Sequence, residues 1–215
     1  MTRAGVLALS LALIAMPAVA KEKPPKTWQA TRTTDPITGA TSCVVSALDY
    51  VGKLRYSRTG YLYPVIEMNS WHGLLVGVSS GGRFRLPTGT IVWRVDDQPF
   101  RELKPEDNPQ GVSVSASPTA NDAATKAMAD AMAFSNKLIM SATATSTLAS
   151  GEVAKAMLSE LRAGQGLIFR AAAISSPYGL PDPNMMRVGQ LQKDGLKPIP
   201  VDASLATALA ECGIE

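Results

Sequence analysis

The sequence predicts an α+β fold, in which an antiparallel, β-sandwich-like sheet core carries an inserted helical hairpin and a C-terminal helix. Two observations lead to this class. Short stretches rich in Val, Ile, Tyr and Trp fill the first half of the chain, and Gly, Pro, Asn and Asp separate them, as is typical of antiparallel strands. Alanine-rich stretches with apolar residues at helical spacing follow. We expect residues 28–215 to form a single globular domain, because that length is sufficient for one substantial core.

Residues 1–20 have the organisation of a secretory signal peptide. Arg3 precedes an apolar run over 4–16, and the segment ends in Ala18-Val19-Ala20, which fits the small-x-small rule for cleavage. A membrane anchor is the alternative, but spanning a bilayer requires about 20 apolar residues and this run is shorter. We therefore expect bacterial export with cleavage before Lys21, a periplasmic or secreted location, and no integral membrane span in the mature protein.

The mature chain is close to neutral. Residues 21–27 (KEKPPKT) lack apolar periodicity and are interpreted as a flexible leader. Without residues 1–20 there are 20 Lys and Arg against 18 Asp and Glu, a net charge of +2. This charge is too small to indicate nucleic acid or an anionic membrane as a partner.

The first strands are predicted from turn chemistry and alternation. Trp28 begins the strand WQATRTT, residues 35–39 (DPITG) supply a turn, and ATSCVVSAL returns as its partner. Further on, Ile91, Trp93 and Val95 alternate with more polar neighbours, which predicts a half-buried strand. We expect five to seven short strands before the composition changes after residue 109.

The helical hairpin is predicted over 121–163, as helices at about 121–148 and 151–163. Asn121 or Asp122 offers a cap for the first helix. The Ser/Thr-rich stretch at 141–150 is expected to continue this helix, since its small side chains allow close packing against a neighbour. Gly164 is expected to end the second helix.

The last part of the chain is predicted to return to the sheet and then to form the C-terminal helix. Residues 166–174 (GLIFRAAAI) indicate a strand, and two short strands are expected around an Asp194-Gly195 turn. Asp202 or Ser204 is expected to cap the final helix, ASLATALAE.

Cys43 and Cys212 are the two cysteines of the chain. An even number of cysteines in an oxidising compartment favours a bridge, and two separate buried thiols are the alternative. Closing so long a loop stabilises by about 4–5 kcal/mol in the chain-entropy model. Two cysteines and one histidine do not suffice for a zinc site. We therefore predict Cys43 and Cys212 as a disulfide.

The segment Gly77-Val78-Ser79-Ser80-Gly81 matches the G-x-S-x-G pattern of a hydrolase nucleophile elbow. An elbow needs a helix after the serine and a histidine later in the chain. Here GRFRLPTG follows, and His72 precedes Ser79. A loop of small residues is the favoured interpretation, and a periplasmic serine hydrolase using Ser79 and His72 is the alternative.

The other polar residues do not form a recognisable site. Asp96 and Asp97 are adjacent on a strand, so their side chains point to opposite faces and a turn is favoured over a carboxylate pair. The stretches PEDNP (105–109) and PDPN (181–184) lack the acidic spacing of a calcium loop and are interpreted as loops. We predict no catalytic residue, no metal and no cofactor.

Three segments carry a resemblance to a known family: RLPTGTIVWRVDDQPF (85–100), MLSELRAGQGLIFRAA (157–172) and PVDASLATALAECG (200–213). Together they resemble the invasion-associated locus B family of exported bacterial proteins. The resemblance implies a compact, sheet-rich envelope or secreted protein with no established enzymatic chemistry. The chain departs from the family in lacking a central cysteine pair and in its Ala/Ser/Thr-rich segment near 112–150.

We therefore expect an exported, soluble envelope protein that acts as a non-enzymatic binding or interaction module. Its partner is expected to be another envelope protein or a small ligand, and a secreted host-interaction factor is a further alternative.

Overall fold

The computed structural model of the chain describes residues 26–51, 54–57, 59, 61–109, 123–171, 191–192, 195–196 and 198–215. The predicted signal peptide, residues 21–25 of the leader, the helix cap at 121 or 122, and the PDPN stretch lie outside these residues, as does Asp194.

The described residues form thirteen strands, one short 3-10 helix and three α-helices. In chain order they are β1 (Trp28–Thr34), β2 (Thr41–Ala47), β3 (Asp49–Val51), β4 (Leu54–Tyr56), β5 (Leu62–Asn69), β6 (Gly73–Ser80), β7 (Ile91–Val95), β8 (Arg101–Leu103), the 3-10 helix (Pro105–Asp107), α1 (Ala123–Thr143), β9 (Ser146–Ser150), α2 (Gly151–Ala163), β10 (Gly166–Ala171), β11 (Leu191–Gln192), β12 (Gly195–Leu196), β13 (Ile199–Pro200) and α3 (Ala203–Glu211).

Two antiparallel sheets carry the fold, which confirms the predicted α+β class. The larger sheet has the order β1-β2-β5-β6-β9 and the smaller one has the order β13-β10-β7-β8. Buried residues of both sheets, of α2 and of α3 belong to one hydrophobic core. The arrangement is therefore sandwich-like, with α2 packed on β6 and α3 packed on β1.

The predicted alternation of β7 is confirmed. Ile91, Trp93 and Val95 are at most 1% exposed, while Arg94 between them is exposed. Trp93 stacks on Phe169 of the neighbouring β10, with ring centroids 5.9 Å apart. This aromatic pair lies in the hydrophobic core, on the buried face of the smaller sheet.

The first helix ends at Thr143, so the prediction of helix up to residue 148 was wrong. Residues 146–150 form β9, which pairs with β6 in the register Gly77↔Leu148. Serine and threonine are weak helix formers. The Thr147 hydroxyl is fully buried as a strand residue, and it donates to the Gly89 carbonyl at 2.8 Å. Helices α1 and α2 are thus joined through a strand that completes the larger sheet.

The chain ends of the fold are connected to one another. Asp202 is the N-cap of α3 and accepts from the Ser204 N–H at 2.9 Å, which confirms the first of the two predicted caps. Thr27, at the end of the predicted leader, donates to the Asp202 carboxylate, and Trp28 N–H donates to Ser204 Oγ at 2.8 Å. The first strand is therefore fixed to the last helix.

The Cys43–Cys212 disulfide is present, as predicted. It joins β2 to the end of α3, with the two Cα atoms 5.4 Å apart and a sequence separation of 169 residues. Both cysteines are buried in the core.

Candidate functional site

Ser79 lies near the end of β6, and His72 lies just before its start. At about 3.3 Å per residue in an extended strand, their seven-residue separation is roughly 23 Å. Ser79 is half-buried, and its Oγ lies 3.4 Å from the Thr145 carbonyl. His72 lies in the turn before β6, where its backbone N–H donates to Asn69 Oδ1 at 2.6 Å. The two side chains therefore do not form a hydrogen-bonded dyad, and no helix follows Ser79.

The glycines of the G-x-S-x-G segment serve strand packing. A Cβ at Gly77 would lie 2.2 Å from the Thr147 carbonyl oxygen, so only glycine lets β9 approach this closely. Just after the segment, Gly82 has φ +84°, and a Cβ there would lie 2.3 Å from the backbone nitrogen of Thr59. The small residues therefore reflect close backbone contacts, and the loop interpretation is replaced by a paired strand.

Asp96 has a structural role that the sequence analysis missed. Its carboxylate accepts the backbone N–H groups of Gln165 and Gly166, each at 2.8 Å. Its φ of 45° lies in the left-handed region, which aspartate tolerates better than most residues. Asp96 thus joins the turn after β7 to the start of β10, in agreement with the predicted turn. The Gly164-Gln165-Gly166 stretch is the signal in the sequence for this close approach.

Asn108 has structural partners as well. Asn108, in the predicted PEDNP loop, donates to the Ser146 carbonyl and accepts from the Leu148 N–H, both at 2.7 Å. These two hydrogen bonds of Asn108 fix the position of β9. Within the described ranges, no group of three or more His, Cys, Asp or Glu side chains is placed to hold a metal ion.

The shifted pKa values also follow from structural contacts. Two backbone N–H groups of the turn, those of Thr38 and Ile37, lower the pKa of Asp35. Burial alone would raise the pKa of Asp202, but hydrogen bonds from Ser204 and Thr27 outweigh it, and the pKa is lowered. The ion pair with Glu160 raises the pKa of Arg101. These groups lie at a turn, a helix cap and an ion pair, and they do not converge on one cleft.

Helix α1 presents the strongest candidate surface. Its large apolar side chains are 55–68% exposed, and we call this set the α1 apolar face: Met128, Met132, Phe134, Leu138 and Ile139. At 100° per residue, the five lie within an arc of about 160°. The charged residues Lys126, Asp130 and Lys137 lie on the opposite side of the helix. Within the described part of the chain, the main contact of α1 is with the short 3-10 helix at 105–107.

A cleft beside α3 is a weaker candidate. It has a volume of about 710 Å³, which is within the range of small-ligand sites. Leu205 and Leu209 on its floor are only 2% exposed and already belong to the core. The Arg162 guanidinium at its rim donates to the Ile214 carbonyl at 3.0 Å. Few polar groups point into the cleft, so it lacks the convergent chemistry of a specific small-ligand site.

Comparison of the chain with protein-family models, with curated proteins and with solved structures finds no match. In the part of the chain that the structure describes, no helix is both long and apolar enough to span a bilayer.

Proposed function

We propose that the protein is exported and acts as a non-enzymatic interaction module, which binds a protein partner through the α1 apolar face. The observation that carries this proposal is the exposure of five large apolar side chains on one side of a 21-residue helix. A large side chain presents on the order of 200 Å² when fully exposed, so the face amounts to about 600 Å². This is the upper end of the range for the largest apolar patch on a typical monomer, and patches of that size are often functional.

Export is supported by two independent features. The first 20 residues fit a signal peptide, and the Cys43–Cys212 disulfide is typical of an oxidising compartment. The resemblance to the invasion-associated locus B family also favours an exported envelope protein.

Binding rather than catalysis is supported by the positions of the candidate catalytic groups. The alternative, a serine hydrolase, requires Ser79 and His72 within hydrogen-bond distance, and β6 separates them by roughly 23 Å. It predicts labelling of Ser79 by a serine-directed fluorophosphonate. Labelling of the folded protein that disappears in Ser79→Ala would overturn the non-enzymatic assignment.

Export is tested by the intact mass of the protein isolated from its native compartment, with thiols alkylated before and after reduction. The expected mass begins at Lys21, and alkylation of the two cysteines requires prior reduction. A mass that retains Met1, or two cysteines that alkylate without reduction, contradicts the proposal.

Binding through α1 is tested by a photoreactive amino acid at position 138 or, as a matched control, at position 133 on the opposite side of the same helix. We expect a discrete cross-linked product in the native envelope from position 138 but not from 133. This product should be lost when Met132→Glu places a charge on the same face. Equal cross-linking from both positions, or a product that Met132→Glu leaves unchanged, refutes the role of the α1 apolar face.

A further inference from the structure

We infer that the partner seated on the α1 apolar face is a second copy of this chain, so that the protein is a homodimer in which α1 packs against α1. This inference rests on the proposed function of α1 as a docking surface. It goes further by naming the occupant of that surface.

Helix α1 needs a partner for physical reasons. Isolated helices in water gain little stability from propensity alone, and most helical stability in proteins comes from packing of an apolar face. Within the described part of the chain, α1 has its main contact with the 3-10 helix at 105–107. The residues from 126 to 139 are all exposed. Another surface packed on the apolar face would supply the burial that this helix lacks.

The arrangement of small and large side chains on the α1 apolar face suits packing against the same face of a second copy. Small residues run along its centre, and larger side chains flank them on both sides. The central residues are Ala131, Ser135 and Ala142; Phe134 and Leu138 form one ridge, and Met128, Met132 and Ile139 form the other. Small residues at a contact let two helix axes approach to about 8 Å, and the ridges then close the sides. A two-fold pairing places the same patch on both subunits, and this is the commonest symmetry of soluble oligomers.

The area of the face matches what a dimer requires. Two faces of about 600 Å² bury about 1,200 Å² in total, which is the lower limit for specific, stable interfaces. Burial of the central alanines and of neighbouring atoms adds to this buried area. An interface of this size is consistent with a reversible dimer of micromolar affinity, because association also costs translational and side-chain freedom.

The charge on the polar side favours a protein partner over a lipid surface. Helices that lie on membranes carry many lysines and arginines opposite their apolar face. On α1 the charged residues are two lysines, Lys126 and Lys137, and one acid, Asp130. This mixed and sparse charge attracts an anionic membrane weakly, and it does not repel a second copy.

The test compares three forms of the chain from Lys21 to Glu215 with its disulfide formed: the unaltered protein, Leu138→Glu and Ala133→Glu. Both substitutions add one carboxylate to the exposed part of α1, and glutamate is a good helix former. Residue 138 lies within the apolar face, whereas residue 133 lies opposite its centre. Sedimentation equilibrium from 1 to 200 µM gives the mass and the dissociation constant. Far-UV circular dichroism and thermal unfolding verify that each form is folded.

We expect the unaltered protein and Ala133→Glu to dissociate from two chains to one on dilution, with similar constants. Leu138→Glu should weaken the dimer by at least about 100-fold, since each dimer contains the substitution twice at a buried contact. A monomer at 200 µM in the unaltered protein overturns the inference, and so does a dimer that Leu138→Glu leaves intact.

Two further measurements separate this inference from the proposed function. A monomeric protein whose position 138 cross-links to a different envelope protein refutes the second copy but retains binding through α1. A monomeric protein that binds vesicles of anionic phospholipid through α1, and loses this binding in Leu138→Glu, refutes both the second copy and the protein partner.

Discussion

Replacing Gly77 by alanine tests whether the G-x-S-x-G segment is a close strand contact. The added Cβ would lie 2.2 Å from the Thr147 carbonyl oxygen and 2.9 Å from Leu148 Cα. Ordinary contact begins near 3.4 Å, so β9 must move away from β6 by more than 1 Å. Both obstructing atoms belong to the backbone, and therefore no side-chain rotation relieves the contact.

The cost combines overpacking with weaker strand hydrogen bonds. Overpacking costs about 1–3 kcal/mol, and each weakened hydrogen bond costs about 1 kcal/mol. Reduced freedom of the unfolded chain offsets about 0.4–1 kcal/mol. The net loss in the free energy of unfolding for Gly77→Ala is then about 3 kcal/mol, equivalent to a fall in Tm of about 6–12 °C.

Urea unfolding followed by tryptophan fluorescence measures this loss, because Trp28 and Trp93 are both buried. Ser79→Ala is the matched control: its hydroxyl has only long contacts of 3.4 and 3.5 Å, so its effect should stay within about 0.5 kcal/mol. The reasoning is refuted if Gly77→Ala unfolds at the same urea concentration as the unaltered protein, or if Ser79→Ala is the more damaging change.

Three further predictions concern the contacts that hold the fold together. Reducing the disulfide, or replacing Cys43 and Cys212 by serine, should lower the free energy of unfolding by about 4–5 kcal/mol, since the bridge closes a long loop. A urea midpoint that reductant leaves unchanged would contradict this stabilising role. The lowered pKa of Asp202 means that its contribution to stability is full above its unfolded pKa of about 3.9 and is lost as pH falls through the folded value. Asp202→Asn retains a capping side chain but should lose less stability between pH 6 and pH 2 than the unaltered protein, and equal losses in a pH series of urea titrations would argue against the assignment. Asp96→Ala removes the acceptor of two N–H groups and leaves alanine at φ 45°, so thermal unfolding should show a loss of about 2–3 kcal/mol in the free energy of unfolding. Asp96→Asn keeps one acceptor oxygen and tolerates this φ, so it should lose about half as much. A larger loss in Asp96→Asn than in Asp96→Ala would exclude the bridging role.

Several elements were predictable because their signals are local. The alternation of β7 and the apolar stripe of α2 follow from the periods of a strand and a helix. The Gly164 end of α2 and the Asp202 cap of α3 were predictable because capping depends on a few neighbouring residues. The disulfide was predictable because two cysteines allow a single pairing within the chain.

Other features depend on partners that are distant in sequence. The stretch at 146–150 follows a helix and contains a single β-branched residue, Thr147, yet it pairs with β6, about 70 residues earlier. Asp96 acquires its role from Gln165 and Gly166, which only the assembled sheet brings near. The spacing of apolar residues on α1 predicted a helix, but spacing alone does not show whether a face is covered. The candidate site was therefore less accessible to sequence reasoning than the fold around it.

The connection between β1, β2 and α3 also determines when the fold can be completed. Trp28 is 2% exposed and is hydrogen-bonded to Pro200 and Ser204, and the partner of Cys43 lies 169 residues further along the chain. Until α3 has been made, the first hairpin lacks this part of its cover, and Cys43 lacks its partner. Residues of α3 belong to the same core, so the core is complete only when α3 has packed. Because Cys212 follows α3, the disulfide can fix the first hairpin only after this helix has been made.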